Sequence, residues 1–255
     1  MTAFSDYFFS CPNCHAVMAG KKHNPDAIKS SILFSDGKMM CDALLVEDEH
    51  IINCPSCAHV FWLNENKSFE NEKDVIVSLK DSSNSLTEVY PFNSWYQFGC
   101  NTTKAEGKKA LIDHYLKLLV YLKPYTQEQE LYLRKSLLWA INDLIRYGFR
   151  NRFRDILSGN CSLNSWRHER PDILLQRLTF KKLAPEYKTN IQRLTELIKN
   201  SKDYDKLVVA ELYREKGEFE KSIELIQQIN RSTYFVSLIL EKAKKRNSLV
   251  FQVAG

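Results

Sequence analysis

Hydrophobic spacing divides the chain into two stretches of different period. Up to Leu63 the apolar residues come in short runs of β type. Ser31 to Phe34 and Lys38 to Met40 flank Ser35-Asp36-Gly37, Ile51-Ile52-Asn53 forms a second run, and Val60-Phe61-Trp62-Leu63 a third. Asp-Gly between short apolar segments predicts a hairpin, because both turn positions tolerate positive φ. Ala16 to Asn24 reads as a loop. From Glu106 onward the period is that of helices. Leu111, Ile112, Tyr115, Leu116 and Leu119 make one stripe that ends before Pro124. Thr126 and Gln129 have capping-box spacing ahead of a second stripe, Leu131, Leu137, Leu138, Ile141, Leu144 and Ile145, which stops at Gly148. Further helices are predicted over 150–158, 171–184, 186–200, 203–216, 218–229 and 232–246. Residues 64 to 104 are polar, with a β-like Val75 to Leu79 and aromatics at Tyr90, Phe92, Trp95, Tyr96 and Phe98. They read as a connector that packs onto the helical body.

Two cysteine pairs give the first stretch its chemistry. Cys11-Pro12-Asn13-Cys14 and Cys54-Pro55-Ser56-Cys57 share one turn pattern, in which Pro pre-sets φ and both sulfurs of a pair face one ion. Four thiolates on two such knuckles are the donor set of a closed tetrahedral Zn²⁺ site, so Cys11, Cys14, Cys54 and Cys57 are the expected ligands of a structural zinc. Thirty-nine residues separate Cys14 from Cys54, so the ribbon must carry an inserted hairpin. A catalytic zinc needs an open coordination position, and four thiolates leave none for nearby His15, Cys41, His50 or His59. Cys11 to His15 also spells C-x-x-C-H, the attachment pattern of c-type haem, but that reading leaves the second pair unexplained. A thioredoxin-like dithiol needs a strand before it and a helix after it, and Ala16 to Asn24 offers no helix.

Composition narrows the class. A chain of 255 residues with 44% hydrophobic content buries roughly three quarters of its unfolded surface and does not depend on metal alone for a core. No apolar run approaches the ~18 residues of a membrane span, and Met1 to Ser10 lacks a cationic start followed by a long apolar stretch. The remaining cysteines, Cys41, Cys100 and Cys161, are scattered, which speaks for reduced thiols and a cytoplasmic setting. Eight glycines leave little for nucleotide-cradling loops, and no Ser/His/Asp set or H-E-x-x-H stands out. Asp113 and His114 are neighbours on different faces of a helix and read as solvated positions. No enzyme is expected.

The net charge of +5 is uneven. Residues 1 to 65 hold four basic and eight acidic groups, which leaves 32 basic and 23 acidic groups in the rest. Arg146 to Lys182 alone holds nine basic residues against Asp155, Glu169 and Asp172. Arg146, Arg150, Arg152 and Arg154 interleave with Tyr147, Phe149 and Phe153, a pattern that serves phosphate contact and base stacking, and equally an ordinary amphipathic helix.

In the tail, Ala210, Tyr213, Gly217, Phe219 and Ser222 resemble one tetratricopeptide unit: small residues let two helices approach, Tyr fills the groove and Gly makes the turn. A stack needs about three such units, so the alternatives are a degenerate array or an αα-hairpin within a bundle. Together, Ser35-Asp36-Gly37-Lys38, the second knuckle followed by Phe61-Trp62, and Ala210 to Glu215 before Gly217 resemble a group of uncharacterised bacterial proteins that join a zinc ribbon to a tetratricopeptide-like tail. The resemblance implies that architecture and a bacterial cytosolic setting.

The expected fold class is therefore α+β: a zinc ribbon over 1–65 with an inserted hairpin, a connector over 66–104, and an all-α bundle or short array over 105–255 with the tetratricopeptide-like hairpin at 203–229. The function expected is that of a zinc-binding interaction protein whose helical domain binds a partner protein. The alternative is a nucleic-acid-binding regulator that uses the basic stretch 146–182.

Overall fold

A computed structural model describes residues 4–23, 31–41, 51–63, 68–69, 87–88, 105–122, 126–146, 163–201, 205–230 and 233–254. The expected α+β layout is present, a β-rich N-terminal unit followed by a larger helical one. The chain splits into two compact units, Met1–Ser31 with Met40–Cys100, and Ile32–Met39 with Asn101–Gly255.

Among the described residues the first unit contains two hairpins. β1 (Phe4–Ser10) pairs antiparallel with β2 (Val17–His23) from Phe4↔His23 to Ser10↔Val17. β1 was not expected, and β2 occupies the stretch that reads as a loop. Ala19, Gly20, Lys21 and Lys22 have weak strand preference, and pairing with β1 supplies what their local preference lacks. Of two further pieces, β7 (Ser68–Phe69) extends the sheet on β1 and β8 (Thr87–Glu88) runs parallel to β2. The second hairpin is β5 (Ile51–Asn53) with β6 (Val60–Trp62), as the sequence predicts. Phe9, Ala16, Met18, Ile52 and Phe61 are buried together with Cys11 and Cys54 in one small core, and the Phe9 and Phe61 rings meet edge-on at 6.4 Å. Val75 to Leu79 and the aromatic cluster at 90–98 lie outside the described residues.

The second unit holds seven helices among the described residues. They are α1 (Ala105–Tyr121), α2 (Gln127–Asn142), α3 (Leu163–Lys182), α4 (Ala184–Lys199), α5 (Lys206–Lys216), α6 (Phe219–Gln227) and α7 (Tyr234–Lys244). Among the described residues no helix is long and apolar enough to cross a membrane. α1 packs on α2 and α3, α4 on α2, α3 and α5, and α5 on α6 and α7. The capping box forms as expected: Thr126 Oγ1 accepts from the Gln129 amide at 3.2 Å, and the Gln129 side chain accepts from the Thr126 amide at 2.8 Å. Gly217 ends α5 at φ 88°, a left-handed C-cap that suits glycine. Ala210 and Ser222 are fully buried, as a close αα-hairpin requires, and Ala210 packs with Ile226, Val236 and Ile239. Tyr213 differs from expectation. It is half-buried, with the Lys199 and Lys221 ammonium groups 5.1 and 5.5 Å from its ring centre. α3 starts eight residues earlier than the sequence suggests and runs through Pro171, which the extended start leaves inside the helix. The helix expected at 150–158 lies outside the described residues.

The Asp-Gly hairpin forms, and its tip belongs to the helical unit. β3 (Ser31–Phe34) pairs with β4 (Met39–Cys41) and, on its other side, with the C-terminal β9 (Gln252–Ala254). The turn differs in detail from the expected one. Of its residues only Gly37 takes positive φ, 78°, and the Phe34 amide donates to the Lys38 carbonyl around a three-residue loop. Asp36 keeps ordinary backbone and turns its carboxylate inward. There it makes a two-pronged ion pair with Arg146, at 2.9 and 2.6 Å, and both side chains are 0% exposed. Asp143 takes the Arg146 Nε at 2.8 Å and the Lys38 ammonium at 2.6 Å. The positive charges beside Asp143 hold its carboxyl below the usual range against the opposing effect of burial.

The Asp36 cluster continues inward to a neutral carboxyl. The Asn142 Nδ2 donates to Asp36 at 2.9 Å and to Glu215 Oε2 at 3.0 Å, which fixes the amide with Oδ1 toward Tyr187. The Tyr187 hydroxyl lies 2.8 Å from both Asn142 Oδ1 and Glu215 Oε2. It has one proton, and the amide oxygen can only accept, so the proton between Tyr187 and Glu215 belongs to Glu215. Burial, with Glu211 and Asp36 nearby, pushes the Glu215 carboxyl up to about 8, against the opposing pull of Arg214 and the Asn142 hydrogen bond. An acid with a folded pKa above its unfolded value destabilises the fold as pH rises between the two. Wild-type stability should therefore fall from about pH 5 to about pH 8 through this group, whereas Glu215→Gln should flatten that slope and be the more stable protein at the alkaline end. Urea midpoints across that range check this, and identical slopes for the two proteins would contradict it.

Candidate metal centre

Each knuckle is the turn of one hairpin. In the first, the His15 amide donates to the Cys11 carbonyl at 2.9 Å and the Cys11 amide to the Ala16 carbonyl at 3.0 Å. In the second, the Ala58 amide donates to the Cys54 carbonyl at 2.8 Å and the Cys54 amide to the His59 carbonyl at 2.9 Å. His15 and Ala58 hold φ of 58° and 57° at equivalent points, a left-handed conformation that non-glycine residues seldom adopt. The same strain at the same point of both turns marks one construction used twice.

The two turns bring the four expected cysteines together. Cys11, Cys14, Cys54 and Cys57 place their Sγ atoms within 4.8 Å of one another, with Cys11 to Cys57 at 3.7 Å and Cys14 to Cys54 at 3.6 Å. A metal–sulfur bond of about 2.3 Å in a regular tetrahedron requires sulfurs about 3.8 Å apart, so the set fits a metal ion. The cysteines are free thiols, and these spacings are far beyond a disulfide bond of about 2.05 Å.

The surroundings prepare the sulfurs for a cation. Backbone amides of Cys14 and Asn13 point at Cys11, that of Ala16 at Cys14 and that of His59 at Cys57. Burial nevertheless pushes the Cys11 thiol up to about 12, whereas the Asn13 side chain, donating to Cys57 Sγ at 3.5 Å, leads the groups that lower Cys57 to about 6. A divalent cation bound here would require all four sulfurs as thiolates and would release their protons.

The arrangement could hold an ion, and a tetrahedral ion bound by all four sulfurs would have no open coordination position. His15 and His59 are exposed, and the His59 ring stacks on Phe61 at 6.1 Å. His50 and the Cys41 side chain lie outside the described residues. Asp113 pairs with Lys109 on the surface of α1, and His114 is half-buried, with burial and then Lys117 lowering its pKa. Of the basic residues expected to meet nucleic acid, Arg150, Arg152 and Arg154 lie outside the described residues. Arg146 is described, and its charge is turned inward onto Asp36 and Asp143 rather than toward solvent. The sequence reading missed Asp36, Asn142, Tyr187 and Glu215 as a buried group. Only Asp36 carried a signal, as a turn residue beside glycine. Comparison with protein-family models, curated proteins and solved structures finds no match to this chain.

Proposed function

We propose that the protein is a zinc-binding adaptor without catalytic activity, in which zinc ties the two hairpins of the first unit and the helical unit docks a partner protein. The closed set of four cysteines carries this reading. All four corners of a tetrahedron are filled by sulfur, so the metal's role is to cross-link β1–β2 to β5–β6, and no position remains for water or substrate. The carboxyl most strongly displaced upward among the described residues, Glu215, is sealed in the core of the helical unit and serves packing rather than reaction. Unpaired thiols at all four positions suit a reducing, cytoplasmic compartment.

Elemental analysis of protein purified without added metal should give about one zinc per chain. A coloured, iron-loaded product would change the metal assignment, because sulfur-only tetrahedra also accept iron. Affinity capture from the native host should recover a protein whose retention survives moderate salt. The second reading, nucleic-acid binding through 146–182, has the basic surplus and the exposed Lys181 and Lys182 in its favour. Anisotropy on random DNA and RNA decides between them: a phosphate-driven complex forms at low salt and weakens by orders of magnitude as salt rises, and the adaptor reading expects no such complex.

A further inference from the structure

α3 is amphipathic in the wrong sense for a helix that only fills a core. Beside the half-buried Ile173 and Phe180, its inward side carries polar anchors. Asp172 Oδ1 accepts from the Ala105 amide at 2.8 Å, satisfying a first-turn donor of α1, and Gln176 Oε1 accepts from the Lys108 ammonium at 2.9 Å. Lys108 also donates to the Asp143 carbonyl at 2.6 Å, and the Thr179 hydroxyl donates to the Leu175 carbonyl. Its outward side is apolar: Leu174, Leu175 and Leu178 are 51%, 43% and 56% exposed. With Pro171 they stand at i, i+3, i+4 and i+7, the spacing of a helix-packing seam. A single exposed leucine is ordinary, but three in one seam opposite buried polar anchors are not. Rolling α3 to hide them would uncap α1 and take from Lys108 one of its acceptors, so the polar anchors hold the seam outward.

Charge selects the occupant. α3 contains five basic and two acidic residues, and one of the acids, Asp172, is turned inward. The exposed Lys181 and Lys182 follow Leu178 by three and four positions and extend the seam by a turn. A second α3 would bring like charge against like charge, whereas carboxylates would be drawn in. We propose that the seam Pro171, Leu174, Leu175 and Leu178, with Lys181 and Lys182 at its end, docks an amphipathic helix of a partner protein whose apolar stripe is bordered by acidic residues. This deepens the adaptor reading and rests on it. The groove-and-ridge contact is that of helix capture, with leucines giving affinity and lysines setting direction.

The test uses the full-length protein and a labelled synthetic helix with leucines at i, i+3, i+4 and i+7 flanked by glutamates, beside a twin with lysines in place of the glutamates. Anisotropy should show the acidic peptide binding at least about tenfold more tightly than its twin. Leu178→Glu should weaken it by about tenfold or more with an unchanged melting temperature, since Leu178 is exposed. Lys181→Glu with Lys182→Glu should reverse the preference between the peptides. Equal binding of the twins, or no effect of Leu178→Glu, overturns the proposal. So does loss, in Leu178→Glu, of self-association or of binding to phosphatidylserine vesicles when the acidic peptide does not bind. A host protein captured equally by wild type and Leu178→Glu removes the seam and leaves the adaptor reading intact, whereas capture of no protein by either removes the adaptor reading itself.

Discussion

Stripping the metal should unfold the first unit and leave the helical one folded. Among the described residues, the first unit's core is a few side chains around the sulfurs, chiefly Phe9, Met18, Ile52 and Phe61, and β5–β6 is a two-stranded hairpin of three residues a side. Such a hairpin is marginal by itself in water. A structural zinc would contribute an apparent 10–16 kcal/mol or so at neutral pH, far more than so small a core supplies, and the hairpins would then depend on the ion. With chelator, or in Cys54→Ser, amide resonances of Phe8 to Met18 and Ile51 to Leu63 should collapse to unfolded positions, while the far-ultraviolet helical signal from α1 to α7 persists. Dispersed resonances for those segments in metal-free protein would disprove the dependence.

Removing one member of the Asp36–Arg146 pair should be the most damaging single change in the helical unit. Both side chains are fully enclosed, and Arg146 stacks its guanidinium 4.4 Å from the centre of the Phe34 ring. Deleting one partner leaves the other buried without its main counter-charge, which costs about 3–5 kcal/mol in such pairs. Asp36→Ala also strips the Asn142 amide and the Lys38 backbone amide, at 2.9 and 3.2 Å, of an acceptor. Urea denaturation followed by helical signal should show a loss of about that size for Asp36→Ala and for Arg146→Met. The double variant should lose much less than the sum, because the two changes remove one shared interaction. Metal content should stay unchanged in all three. A loss of under ~1 kcal/mol in either single variant would mean that the pair is solvated.

The Asp36 pair and Glu215 together explain why the helical unit combines a hydrophobic core with so many buried charges. Arg214, 0% exposed, is held by Glu211 in a two-pronged contact and donates to the carbonyls of Asn247 and Leu249, with its guanidinium over the Phe251 ring. The Phe251 amide in turn donates to Ser35 Oγ at 3.3 Å, beside Asp36. The hairpin tip and the C-terminal strand are thus fastened to α2 and α5 by polar groups that fit one arrangement. Apolar contacts alone would tolerate a slide of the hairpin; a paired Arg146 would not.

What could be read from the residues alone was what depends on near neighbours. The knuckles were legible because Cys-Pro-x-Cys fixes its own turn, and the helices because 3.6-residue spacing, the Thr126–Gln129 box and Gly217 act within one or two turns. The four sulfurs were expected to converge, because a common turn repeated suits a common ion, and they do lie together. Only the tertiary structure decided the rest. β2 is a strand because β1 lies beside it, and Asp36 is a buried counter-ion because Arg146 arrives from 110 positions away. Glu215 holds a proton because the folded chain buries it beside Glu211 and Asp36, and α3 shows its leucines because Asp172 and Gln176 are claimed by α1. A side chain's charge state and the face it turns outward are set by partners distant in the chain, and hydrophobic spacing does not encode which partners those are.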